Sequence, residues 1–200
     1  ASLPAKAETL IAALSTHRIA ITSNYTGDQL TVFGLVEREG RTAARADPYD
    51  IVVTAPPGDV VAANGVGTDR VEDSAGVTWT FEMDDPMASY LVQIAIGDYR
   101  TAIGTTPSGV PLRSVAPASR PAIDLDAVHR RAAAQLEWFE TQFGPYPFDV
   151  YGVLVADVPP TFALETQTLS IFPVAWYLAA AVDPSIVDVE TVEAHELAHQ

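Results

Sequence analysis

The sequence predicts an α+β protein, with an antiparallel β-rich N-terminal part followed by the start of a smaller α/β part. Three observations predict it. The first half holds many short β-branched runs punctuated by Gly and Pro. Near residue 124 the apolar residues change to three- and four-residue spacings. A nearly continuous apolar run then follows, Tyr151 to Ala156, of the kind buried on both faces of a sheet.

Taken in order, Ile19 to Ser23 alternates as a strand, Asn24-Tyr25-Thr26-Gly27-Asp28 is turn chemistry, and Gln29 to Val36 resumes a strand. Ile51 to Thr54 is a further short strand, broken by Ala55-Pro56-Pro57-Gly58. Val60 to Ala63, Val77 to Glu82 and Tyr90 to Ile96 read as strands, with turns at Asn64-Gly65, Ser74-Ala75-Gly76 and Gly97-Asp98. Residues 105–121 carry Pro107, Pro111, Pro117 and Pro121 and read as a linker or irregular edge. Asp124 or Asp126 can cap a helix running to about Phe143, with Val128, Ala132, Leu136, Phe139 and Phe143 as its apolar stripe. Gly144-Pro145 ends it. Phe162 to Ile171 reads as a second strand of the α/β part. Asp183-Pro184 is expected to open a last helix containing Glu190 and Glu193. The division that results is 1–54, 55–120 and 121–200.

Composition narrows the function. Hydrophobic residues are 48% and charged residues 18% of 200, enough apolar content for a packed core. Acids outnumber bases 26 to 11, a formal charge of −15. Such a surface repels phosphate backbones and anionic lipid, so neither nucleic acid nor an anionic membrane is an expected partner. No apolar run reaches about 18 residues, so no membrane insertion is expected within this chain. There is no cysteine, so any metal must be held by His, Asp or Glu. No loop has calcium-binding spacing. Ala5-Lys6-Ala7 has the small-x-small form read by signal peptidases, leaving export and a cytoplasmic location both open.

The strongest chemical signal is His195-Glu196-Leu197-Ala198-His199. Two His at i and i+4 lie one above the other on a helix face, where both imidazoles can reach one Zn²⁺. The Glu after the first His can take a proton from a water that the ion activates. Catalytic zinc needs a third protein ligand. Glu190, five residues before His195, lies on the far side of the helix, and Asp183 and Asp188 are no better placed. The third ligand is therefore expected beyond residue 200. A second signal is Glu165, within Phe162-Ala163-Leu164-Glu165-Thr166-Gln167-Thr168. Alone, a carboxylate there reads as a solvated strand position. Beside a zinc site it could hold a substrate ammonium through a charge-assisted hydrogen bond.

With both motifs in view, residues from about 56 to 200 resemble the aminopeptidase N family of zinc metallopeptidases. The segments that carry the likeness are Val60-Val61-Ala62-Ala63-Asn64-Gly65, Trp79-Thr80-Phe81-Glu82, Pro86-Met87-Ala88-Ser89-Tyr90-Leu91 and Ile96-Gly97-Asp98-Tyr99. Phe143-Gly144-Pro145-Tyr146-Pro147-Phe148 and Val192 to Gln200 continue it. The resemblance implies a β-domain followed by a thermolysin-like catalytic domain. His195 and His199 match the family's zinc ligands and Glu196 its general base. Glu165 matches the Glu of the Gly-Ala-Met-Glu-Asn motif, which binds a substrate's free amino terminus, and Ala163 is also kept. Phe162, Leu164 and Thr166 depart from that motif. The implied function is removal of N-terminal residues from peptides by a one-zinc enzyme, with these 200 residues inactive alone. The family's third ligand, a Glu on the next helix, would lie beyond Gln200. The alternative is a non-catalytic β-rich binding module whose His pair holds no metal.

Residues 1–54 are similar to a different group, an uncharacterised family of exported or membrane-anchored proteobacterial proteins. The likeness runs through Ala7 to Leu10, His17 to Gly27, Leu30 to Gly34 and Tyr49 to Val53, with a seam near Thr54 to Gly58. A chimeric chain and a divergent first hairpin are both compatible with it. The remaining polar residues read as structural: His17 and His129 solvated or partly buried, Arg130-Arg131 a wet helix face, Asp84-Asp85 a turn. Trp138, Phe139 and Tyr146 read as core.

Overall fold

The computed structural model describes residues 9–14, 30–37, 49–161 and 163–200. Its strands form three sheets. β1 (Thr9–Leu14), β2 (Leu30–Glu37), β7 (Val92–Gly97) and β4 (Val60–Ala63) make the first, in the order β1-β2-β7-β4 and antiparallel throughout. β3 (Tyr49–Ala55), β6 (Gly76–Met83) and β5 (Val66–Asp73) make the second, also antiparallel. The third is mixed: β8 (Tyr99–Thr105) pairs antiparallel with β9 (Pro111–Pro117), and β10 (Tyr151–Ala156) lies parallel to both β9 and β11 (Ser170–Pro173). This is the α+β mix that the sequence predicts. Pairing crosses both drawn boundaries: β3 joins β6, and β8-β9 share a sheet with β10-β11. Ile19 to Ser23, the turn after it, Ala5-Lys6-Ala7 and His17 lie outside the described residues.

Helix α1 (Leu125–Phe143) begins where Asp124 accepts a hydrogen bond from the Ala127 amide and ends at Gly144, φ 97°. It is the crossover between parallel β9 and β10, which cannot be joined by a tight turn. The mixed sheet is covered on both sides. Tyr151, Val153, Val155 and Phe172 face Val128, Ala132 and Leu136 of α1, while Leu154, Ala156, Val115 and Ile171 face Ala62 and Ala95 of the first sheet. Alternate side chains thus serve two cores, which is why β10 carries no polar residue.

Several expectations are corrected. Residues 105–121 are not a linker, because β9 is an interior strand with Leu112, Ser114 and Ala116 buried. Its prolines stand at 111 and 117, the strand's ends, where a missing N–H costs no interior ladder bond. β1, β5 and β8 are strands that the sequence reading did not separate. Tyr90 belongs to a 3₁₀ turn, Ser89–Leu91, ahead of β7. Of the expected strand Phe162 to Ile171, Phe162 lies outside the described residues and only Ser170 and Ile171 are in a strand, β11; Leu164 and Ile171 form one antiparallel bridge around a turn in which the Leu169 amide donates to the Thr166 carbonyl. Asp183-Pro184 does not open the last helix. Asp183 closes the unforeseen α2 (Val174–Val182) and holds Ser185 in a turn, and Asp188 caps α3 (Val189–Ala198) by accepting from Thr191. Trp138 is 56% exposed, and Phe143 ends the stripe at 78% exposed. Arg131 is no wet-face residue, as its pairing below shows.

Candidate metal centre and its surroundings

Helix α3 crosses α1 and α2 with one face inward. Glu193, Glu196 and Leu197 are buried on it, whereas His195 and His199 are exposed. Glu193 is fully enclosed. Arg131 of α1 donates to it through Nε and, at 2.7 Å, through a terminal nitrogen, and the Tyr177 hydroxyl of α2 donates at 2.5 Å. Burial beside that carboxylate pushes the Tyr177 hydroxyl well above its ordinary value. Arg131 had a sequence signal, since it falls at i+3 from Val128 and beside Ala132, on the rim of the buried stripe.

On the outward face the His195 and His199 Nε2 atoms are 3.1 Å apart, with their rings edge to face at 4.7 Å. Two nitrogens each bound at about 2.0–2.1 Å to one tetrahedral Zn²⁺ lie about 3.4 Å apart. The observed spacing is close to that, so the pair fits one ion as two of its donors. Among the described residues no group of three or more His, Asp or Glu side chains could hold a metal. The pair therefore offers two donors, with no third among the described residues.

Glu196 is 7% exposed and makes no hydrogen bond or ion pair among the described residues. Its proton affinity is raised, first by burial and next by the Glu165 carboxylate, while His195 and His199 oppose the shift. Glu165 itself stands on a turn arm and not on a strand. Ala163, on the same arm, packs against the helix-side core.

The Glu165 turn is stitched to the β-sheets. Asn64 Nδ2 donates to the Gln167 carbonyl at 2.6 Å, and the Gly65 amide donates to Thr168 Oγ1 at 2.8 Å. Thr166 Oγ1 donates to Gln93 Oε1 at 2.8 Å, and Gln93 Nε2 donates to the Leu169 carbonyl at 3.2 Å. Gly65 has φ 81°, and a Cβ there would stand 2.2 Å from the Glu82 carbonyl oxygen, so only glycine fits this corner. Asn64, Gln93 and Thr166 were not singled out from the sequence, since buried polar partners from separate strands leave no local spacing pattern.

Comparison with known proteins gives two findings. Residues 9–64 match the family model described as "Putative transmembrane protein (Alph_Pro_TM)". That match extends through β4, past the expected seam. Among the described residues no helix is long and apolar enough to cross a membrane. The structure is similar to that of an M1 zinc metallopeptidase from Deinococcus radiodurans, with 30% identity, a TM-score of 0.59, and coverage of 77% of this chain and 34% of that one. A mutant of that enzyme bound to a Tyr-Ser-Ala substrate gives 27% identity and a TM-score of 0.52, covering 68% of this chain and 34% of that one. A two-domain M1 zinc metallopeptidase mutant bound to L-arginine gives 27% and 0.58, covering 84% and 39%. A search of curated proteins finds no match. The chain shares a peptidase-like fold with these structures and spans about a third of the length of the first.

Proposed function

We propose that the chain carries part of the active site of a zinc-dependent aminopeptidase, acting on peptides with a free N-terminus. The observation that carries the reading is the 3.1 Å convergence of His195 and His199 on an exposed helix face beside the buried Glu196. His195 and His199 would hold the ion, and a third protein donor has to come from outside the described residues. When bound, zinc supplies Lewis-acid activation of water and of a peptide carbonyl. Glu196 receives the proton of the attacking water and passes it to the leaving amine, and its raised proton affinity suits both transfers. Glu165 pairs with the substrate's ammonium group, and Ala163 lines the same arm, so cleavage falls one residue in. The peptide and amino acid bound to the metallopeptidase neighbours support the substrate class.

The test is a Zn²⁺ titration of the chain followed by imidazole NMR. The His195 and His199 signals should move together while His129 stays still, and His199→Ala should abolish the shift. With only two donors, binding should be weak and hydrolysis of an aminoacyl substrate by these 200 residues negligible. A His pair that ignores Zn²⁺ would leave the non-catalytic β-rich module as the reading.

A further inference from the structure

Gln200 directly follows the second histidine, and its carboxamide makes three hydrogen bonds. Its Nε2 donates to the Glu165 carbonyl at 3.1 Å. Its Oε1 accepts from the Thr168 amide at 2.8 Å and from the Tyr146 hydroxyl at 3.3 Å. Only this orientation of the carboxamide works. Flipped, it would set an NH₂ against the Thr168 N–H and an oxygen against the Glu165 carbonyl. Thr168 sits at φ 64°, a conformation rarely adopted by a β-branched residue. Such a backbone persists only where its surroundings over-determine it. Here two bonds do so: Gln200 accepts from the Thr168 N–H, and the Gly65 amide donates to the Thr168 hydroxyl oxygen. The turn is therefore tied at both of its ends to Gln200, two residues past the histidine helix.

We infer that Gln200 is a positioning residue that fixes the Glu165 turn against the helix carrying His195 and His199. The inference rests on the aminopeptidase reading for its functional meaning. An exopeptidase must hold the amine site a fixed distance from the reacting carbonyl, and Gln200 joins the backbones that carry the two ends of that distance. Removing it frees Glu165 to wander without touching either histidine.

The experiment compares the wild-type chain with Gln200→Ala and Gln200→Asn. Asn keeps the amide but is one methylene short. Amide hydrogen exchange reads the turn directly. The Thr168 N–H should be protected in wild type and exchange freely in both variants, with β10 amides unchanged. L-tyrosinamide and N-acetyl-L-tyrosinamide, titrated with Zn²⁺ present, read the amine site. The variants should bind the free amine roughly five- to tenfold more weakly, the net worth of one hydrogen bond, and the acetylated probe equally well. The Zn²⁺ shifts of His195 and His199 should not change. A merely stabilising role would leave the preference for the free amine intact, and that result, or a Thr168 amide still protected in Gln200→Ala, overturns the inference. A wild-type chain with no preference for the free amine overturns the aminopeptidase reading, and loss of Thr168 protection would then still identify Gln200 as the holder of the turn.

Discussion

Glu193 and Glu196 lie three residues apart on the same helix, both are buried, and they are treated in opposite ways. Glu193 faces α1 and α2, where Arg131 and Tyr177 satisfy it. Glu196 is flanked along the helix by two exposed imidazoles, and nothing among the described residues bonds to its carboxylate. A carboxylate serving the fold is given a cation and a hydroxyl donor that hold its charge. Glu196 is left without a fixed partner among the described residues, and its burial raises its proton affinity. Glu193 ties α3 to α1 and α2, while His195 and His199 stand on the exposed face of the helix.

The comparison breaks most severely at the inner face. Glu193→Ala should cost about 3 kcal/mol of stability in urea denaturation, the low end for removing one partner of a buried pair, because Arg131 keeps 26% side-chain exposure. Glu193→Gln should cost less, since the amide still accepts from Tyr177. An unchanged midpoint for Glu193→Ala would show that the inner face does not anchor the helix. At the outer face, His199→Ala should remove Zn²⁺ binding in calorimetric titration while moving the denaturation midpoint little, because the ring is solvent-exposed. Glu196→Gln should sharpen the contrast in sign. Replacing an unpaired buried carboxylate should raise stability slightly, by under about 1 kcal/mol, with Zn²⁺ binding retained. A fall in stability of the size seen for Glu193→Ala would put Glu196 in the structural class.

The smallest effect concerns His129, which faces Ser114 Oγ at 3.2 Å, the Gly104 backbone and Asp126. Burial lowers its proton affinity, with Asp126 opposing. The unfolded chain therefore binds a proton that the folded chain resists. Stability at this residue is full at neutral pH and is lost as pH falls below the ordinary His value of about 6.5. His129→Gln should flatten the difference between denaturation midpoints at neutral and mildly acidic pH, and an unaltered difference would remove His129 as its source.

Local patterns carried a large part of this in the sequence itself. The i, i+4 histidines need only a helix to converge, and Asp188 and the apolar neighbours supply one, so the pair was legible even with the helix start misplaced by five residues. The stripe Val128, Ala132, Leu136 and the apolar run of β10 were legible for the same reason: each depends on one period within one element. Glu165 stood out in the sequence as a residue, but its place in the structure was not legible there. Its arm turns at Thr166 to Thr168 because Asn64, Gly65, Gln93 and Gln200, scattered along the chain, bond to it there. The β9 strand was hidden by its terminal prolines, which mark a break unless the neighbouring strands are known.

The sequence by itself determined which residues can do chemistry and their spacing along α3, because hydrogen-bonded helices impose a fixed rise and rotation on neighbours four residues apart. Only the tertiary structure decided what each of them faces. Glu193 meets a cation, Glu196 meets none among the described residues, and Glu165 rides on a turn held by distant residues, because burial and charge pairing depend on which distant segments close around a side chain. No local period encodes that choice.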